Sequence, residues 1–300
     1  MVSEVPGFLI TFREGLEAAL IVAIILAYLK KIGKTNLVRF VWIGVALAVI
    51  LSLGVGAAIF VVYGGLSGIS AGIFEGVASL GASAILTYMI LWMAKNSKSI
   101  KNELERKIDV SITTGQLIGI TSLAFVAVFR EGIETVLFLT ALFVFDFNGT
   151  IIGIASGVAV VAVLAGLMLK GSVRLPIKSF FKYTSIILIV FAAGLLGTGI
   201  HELIEATEHS GLQLGVLAQS AFNVNPPEIA HPLNEQGVLG SVFSALIGYD
   251  GNPEWLRVGA YFGYWIVLGA YILKIYAPSF STGLYKIFSS SKSLRNRKGV

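Results

Sequence analysis

Two glutamates three residues apart, with an arginine before the first and a glycine between them, occur twice in this chain. They are Arg13, Glu14, Gly15, Glu17 and Arg130, Glu131, Gly132, Glu134, in "REGLE" and "REGIE". On an α-helix this spacing projects both carboxylates of a set from one face, and puts Arg13 within reach of Glu17 and Arg130 within reach of Glu134. The glycines remove bulk beside the carboxylates at a cost of about 1 kcal/mol each in helix propensity. That cost fits a place which another helix, or an ion, must approach. Carboxylate oxygens are hard donors, well matched to iron, manganese, calcium or magnesium and poorly matched to copper(I).

Both sets lie inside long apolar runs. The chain is 300 residues long, 56% hydrophobic and only 13% charged, which is a membrane protein's composition. Crossing the hydrocarbon takes about 20 mostly apolar residues, and the runs at 8–29, 37–63, 69–94, 113–145, 150–169, 179–203 and 257–277 qualify. Because the runs are continuous rather than alternating, they predict helices and not a barrel. The expected fold is therefore an all-α membrane protein with seven transmembrane helices, and the first run reads as a retained span rather than a cleaved signal.

Basic residues set the orientation. Of the 22 Lys and Arg, 19 fall after the first, third, fifth and seventh runs, from Lys30 and Lys31 to Arg295, Arg297 and Lys298. The sequence thus places the C-terminus in the cytoplasm and the N-terminus outside. The net charge of +5 is a topology signal, so no nucleic-acid partner is expected. The other side carries Glu4, Asp146, Glu205, Glu208, Glu228, Glu235, Asp250 and Glu254, an acidic surface that concentrates cations. Without cysteine there is no thiolate metal site, iron–sulfur cluster or disulfide.

The two motifs stand 117 residues apart, and "WIGVALAVILSLGVG" in the second run has a weaker counterpart in "IIGIASGVAVVAVLAG" in the fifth. An odd number of spans per repeat inverts the second copy, as in many secondary transporters. We therefore expect two three-helix inverted repeats, at about 8–94 and 113–203, then an outer loop at 204–256 and a seventh helix at 257–277. These make a permease domain over 1–278, followed by a basic cytoplasmic tail at 279–300 in contact with lipid. The 13 residues from Glu17 to Lys30 span roughly 20 Å of helix. Both motifs are thus expected near the midplane, on helices of opposite direction.

Burying six charges there costs roughly 15–20 kcal/mol before compensation, against a stability of about 5–15 kcal/mol for a whole domain. Salt bridges serving only as glue seldom justify that. Four glutamates against two arginines leave a net negative site, and Glu75, on a glycine-striped helix, would add to it. A cation in transit is the reading that fits. At the end of the sixth run, "HELIEATEH" offers His201, Glu202 and Glu205 as a second cluster that could capture a metal first. It partly resembles the zinc-peptidase H-E-x-x-H, but Glu205 stands where the second histidine belongs.

The chain as a whole resembles the oxidase-dependent iron permease family, which includes the fungal high-affinity iron permease and the bacterial EfeU-type ferrous iron permease. The residues that carry the resemblance are "REGLE", "REGIE", "FEGVASLGASAILTYMILWM", "HELIEA" and "LIGYDGNPEWL". It implies a multi-pass protein of the plasma or inner membrane and no enzyme. Its substrate would be iron, bound by Glu14, Glu17, Glu131 and Glu134 and needing no organic cofactor. It also implies a separate iron oxidase or periplasmic delivery protein as partner, so that ferric ion is what passes inward. Manganese or lead are alternative cargoes, and a homo-oligomer is compatible with all of this.

Overall fold

The protein is described here from a computed structural model, covering residues 4–96, 100–143, 146–169, 177–212, 214–228, 231–234 and 237–276. The expected basic tail at 279–300 lies outside the described residues. Eight α-helices are present among those described: α1 (Glu4–Lys31), α2 (Val38–Gly64), α3 (Ile69–Asn96), α4 (Ile100–Phe143), α5 (Phe147–Leu169), α6 (Ile177–His209), α7 (Val238–Ile247) and α8 (Trp255–Tyr276). Four of these regions, Thr35–Gly64, Ile69–Met93, Phe147–Leu169 and Tyr183–His209, are long and apolar enough to cross a membrane by length and composition. Helices α1 and α4, at 28 and 44 residues, are long but carry the motif charges.

Position in the bundle follows from which faces are apolar. The most apolar stretches of α2 and α5 are only 11% buried, against 44% for those of α3 and α6. The first pair therefore lies on the outside, presenting side chains such as Leu53 and Val61 that a bilayer would cover. Helix α1 packs against α4 and α5, α2 against α4, α3 against α6, and both α7 and α8 against α6. One core cluster joins Leu16 and Leu20 of α1 to Leu86 and Met89 of α3, Phe138 of α4 and Phe191 of α6. A second joins Ile25 and Leu29 of α1 to Val41 of α2 and to Ile108, Ile120 and Ala124 of α4. On α4 the motif residues fall between the stretches that join the two clusters, and on α1 they fall among residues of the first.

Contacts of α1 with α5 recur between α4 and α2. A side chain added at Gly153 of α5 would begin 2.8 Å from the Phe8 amide of α1, and one at Gly44 of α2 would begin 3.0 Å from the Phe125 amide of α4. Phe8 and Phe125 stand at the motif offset of 117, and Gly44 and Gly153 are matched in the "WIGVALAVILSLGVG" comparison. Phe8 stacks on Phe12 at 5.4 Å, and Phe125 on Phe129 at 5.2 Å. Gly15 faces Val161, Gly132 faces Ser52, and Ser52 and Val161 are matched in the same way. Glycine is needed at 44 and 153 because the opposing atoms are backbone, which cannot rotate aside.

Two segments differ from the sequence reading. The fourth helix was expected from 113, but helical structure begins at Ile100 and does not run straight. A Cβ on Gly119 would sit 2.8 Å from the Ser111 carbonyl oxygen, whereas eight residues of straight helix rise about 12 Å. The run therefore bends back, laying Leu104 and Ile108 against Leu29 and Leu37, while Tyr28 donates a 2.8 Å hydrogen bond to Asp109. The apolar positions of "ELERKIDV" explain it: Leu104 and Ile108 are one helical turn apart and find cover only by folding under the bundle. The segment after α6 was read as an outer loop at 204–256. Helix α7 instead ends at Gly248, in the left-handed region at φ 69°, with its backbone against Gly194, fifteen residues before His209. That distance is about 22 Å along α6, so α7 lies beside α6 rather than over its end.

Candidate metal centre

The sequence places both motifs on helices, and α1 and α4 bring them together. One oxygen each from Glu14, Glu131 and Glu134 lie within 4.8 Å of one another. Glu14 and Glu131 are 1% and 2% exposed. Each arginine serves its own motif. Arg13 is fully buried and donates through Nη1 to Glu14 Oε1 at 2.8 Å and to Met89 Sδ at 3.3 Å, while Nη2 lies 3.0 Å from Glu17 Oε1. Arg130 Nη2 lies 3.0 Å from Glu131 Oε1 and Nε 3.4 Å from Glu134 Oε1, with its guanidinium 5.4 Å from the Trp92 ring centre. Its side chain is 46% exposed.

The arginines hold the carboxylates without satisfying them. Glu14 Oε2, Glu134 Oε2 and both oxygens of Glu131 are buried with no hydrogen-bond partner, because the Arg130 contact to Glu131 is close but poorly aligned. Buried carboxylate oxygens left in this state are costly. Their convergence within 4.8 Å is what a hard cation would compensate. Glu17 is held by Arg13 and lies outside the three-carboxylate group.

Beside this centre is a cavity of about 610 Å³ walled by α1, α2, α4 and α5. Glu14 and Glu131 line it, together with Thr11, Ser52, Thr135 and Tyr63. The hydroxyls of Thr11 and Ser52 are buried and unpartnered. Reading the motifs alone misses these two. The available signal for Ser52 is its match to Val161 in the paired second and fifth runs, opposite the motif glycines.

Glu75 is not in this centre. Tyr63, at the end of α2, donates a 2.6 Å hydrogen bond to Glu75 Oε1, and Glu202 of α6 stands near Glu75. Glycines make that approach possible: a Cβ on Gly76 would lie 2.9 Å from the Gly199 carbonyl oxygen. The proposed trio of His201, Glu202 and Glu205 is likewise divided. His201 Nδ1 pairs with Glu254 at 2.6 Å, and His201, Asp250 and Glu254 form a second group with ligand atoms within 4.8 Å. Glu205 is exposed. Arg257 binds Asp250, which offsets negative charge in this group, while the His201–Glu254 pair ties the start of α8 to α6. Burial alone would raise the Glu254 carboxyl, but the hydrogen bond with His201 and the charge of Arg257 hold it below the usual range. His231 and His209 are exposed.

The two arginines differ in a testable way. Arg13→Gln leaves two sealed carboxylates without a counter-charge, and losing one partner of a buried pair costs about 3–5 kcal/mol. Arg130→Gln removes a half-exposed group and should cost far less. Thermal unfolding of the detergent-purified variants measures the contrast; equal shifts would mean that Arg13 is not the sealed partner described here.

The chain matches known proteins along most of its length. The model of the iron permease FTR1 family matches residues 5–276. A protein called ferrous iron permease EfeU in Yersinia pseudotuberculosis is 37% identical over 287 residues, covering 94% of this chain and 96% of its own. The protein of that name in an Escherichia coli strain is 36% identical over 274 residues, covering 89% and 94%. An uncharacterized protein of Archaeoglobus fulgidus is 41% identical over 264 residues, covering 88% and 92%. No solved structure matches. With paired glutamate motifs converging on one buried site, and a match running through nearly the whole described chain, the protein belongs to the iron permease FTR1 family.

Proposed function

We propose that this protein carries iron across the cell membrane, with Glu14, Glu131 and Glu134 holding the ion in transit and Glu17 joining as it moves. The observation that carries the reading is the meeting of these carboxylates from α1 and α4 with their buried oxygens unpartnered. Seven spans, α1 to α6 and α8, form two inverted three-helix repeats and a closing helix. Support comes from the contacts that recur in pairs, Gly44 with Phe125 and Gly153 with Phe8, and from the reciprocal crossing of Gly76 and Gly199.

The N-terminus faces outward, as the distribution of Lys and Arg requires. The acidic outer surface gathers the ion, delivered as ferric iron by a separate oxidase or periplasmic protein. Arg13 and Arg130 keep the carboxylates ionised and aimed, and after the ion leaves inward they limit the cost of the empty site. A soft or large organic cargo does not suit three convergent carboxylates.

The test is metal uptake into proteoliposomes holding the full chain, with ferrous iron, ferric iron, manganese and calcium compared. Iron should enter at least tenfold faster than calcium. Equal rates for all four ions, or none above empty vesicles, would reject the assignment.

A further inference from the structure

Among the described residues, three buried hydroxyls have no hydrogen-bond partner: Thr11 of α1, Ser52 of α2 and Ser79 of α3. A serine or threonine inside a helix has an acceptor at hand in the carbonyl one turn earlier. Thr135 and Thr140 of α4 use it, donating at 2.7 Å to the Glu131 and Val136 carbonyls. Thr11 and Ser52 do not, although each is only 6% exposed, and both line the motif cavity beside Glu14 and Glu131. Ser79 is not among the residues that line it.

Contacts fix where the two oxygens stand. Ser52 Oγ occupies the space that a side chain on Gly132 would take, so α2 delivers it to the motif backbone between Glu131 and Glu134. Thr11 is one turn before Glu14 on the same face of α1, and its methyl is the part that faces Gly157 of α5. Packing requires neither oxygen. Val128, at the motif offset of 117 from Thr11, lines the same cavity, and Val161, matched to Ser52, faces Gly15 as Ser52 faces Gly132.

We propose that the Thr11 and Ser52 hydroxyls are neutral ligands of the ion, completing its coordination from the cavity side as it meets the motif carboxylates. This rests on the iron-permease reading above. A hard cation that sheds water on entering an apolar cavity must find oxygen donors in return, about six for ions of this class. The carboxylates supply the negative charge. Alcohol oxygens add donors without adding more charge, so the ion is held without being trapped, and no proton or electron is exchanged. A buried hydroxyl kept only for packing would cost less as a methyl group, and the valines at the matched positions show that the fold accepts one.

The experiment is equilibrium dialysis of the full-length protein in detergent against radioactive iron, both as ferrous ion held reduced by ascorbate and as ferric nitrilotriacetate, with thermal unfolding of each variant measured alongside. In the form that wild type binds, Thr11→Val and Ser52→Ala should each weaken binding by about tenfold, the scale of groups that support a metal's ligands. Their unfolding temperatures should equal or exceed that of wild type, since an unpartnered hydroxyl contributes nothing to the fold. Thr11→Ser, which returns the oxygen without the methyl, should recover most of the binding that Thr11→Val loses. Wild-type affinity in both Thr11→Val and Ser52→Ala, with binding lost in Glu131→Gln, overturns this inference and leaves the motif centre standing. Weaker binding that comes with lower unfolding temperatures in both variants also overturns it, because the hydroxyls would then act through packing. Wild-type affinity in Glu131→Gln rejects the motif centre itself.

Discussion

Glu131→Gln is expected to abolish iron uptake while the protein still reaches the membrane at normal abundance. The substitution keeps the volume of a side chain that is 2% exposed and removes its charge. Neither oxygen of Glu131 has an aligned donor in the structure, so its fold-stabilising share is small and its cost is already being borne. What is lost is one of three charged ligands converging within 4.8 Å. If that ligand contributes about 3 kcal/mol to holding a cation, affinity falls on the order of 100-fold. Glu14→Gln should behave alike. Glu205→Gln, on an exposed side chain, should leave uptake within about twofold. Uptake of radioactive iron by cells, normalised to the membrane-inserted protein, makes the measurement. Near-wild-type uptake by Glu131→Gln would remove the central role of the site.

The second large effect concerns assembly. Gly153→Leu places a side chain where the Phe8 amide of α1 lies 2.8 Å from the new Cβ, and Gly44→Leu does the same against the Phe125 amide of α4 at 3.0 Å. Overpacking with a side chain that can rotate away costs about 1–3 kcal/mol. Here the obstacles are main-chain atoms, so whole helices must separate and the cost exceeds that range. Because α1 and α4 carry the motifs, the carboxylates separate with them. Little monodisperse protein should elute in size-exclusion chromatography for either variant. Gly54→Leu and Gly166→Leu, where nothing lies within 4 Å of an added Cβ, serve as controls and should elute as wild type does. Identical profiles for Gly153→Leu and Gly54→Leu would show that α1 and α5 do not pack as described.

Much of this protein is legible in its sequence because a bilayer simplifies the problem. Hydrocarbon forces backbone groups to pair within each span, so long apolar runs name α2, α3, α5 and α6 with boundaries close to those seen. An ionisable group in such a run is expensive enough to be informative by itself, which is why the two motifs point to the site before any fold is known. The repeat of the motif also anticipates the meeting of α1 with α4.

Spacing along one helix fixes only which side chains share a face; it carries no information about the residue that another helix brings to that face. His201, Glu202 and Glu205 read as a cluster because they are close in sequence, yet His201 goes to Glu254, Glu202 to Glu75, and Glu205 to the surface. Glu75 reads as a possible member of the motif site, but the close glycine crossing of α3 with α6 takes it to Tyr63 and Glu202 instead. The unequal burial of Arg13 and Arg130 has the same origin, since their local sequences are nearly identical while their neighbours, such as Met89 and Trp92 on α3, differ. The sequence alone determined the long apolar helices, the residue types of the site and their cost. Which carboxylates actually meet was decided by tertiary packing, because distances between helices depend on the small residues and crossing points that bring remote segments together.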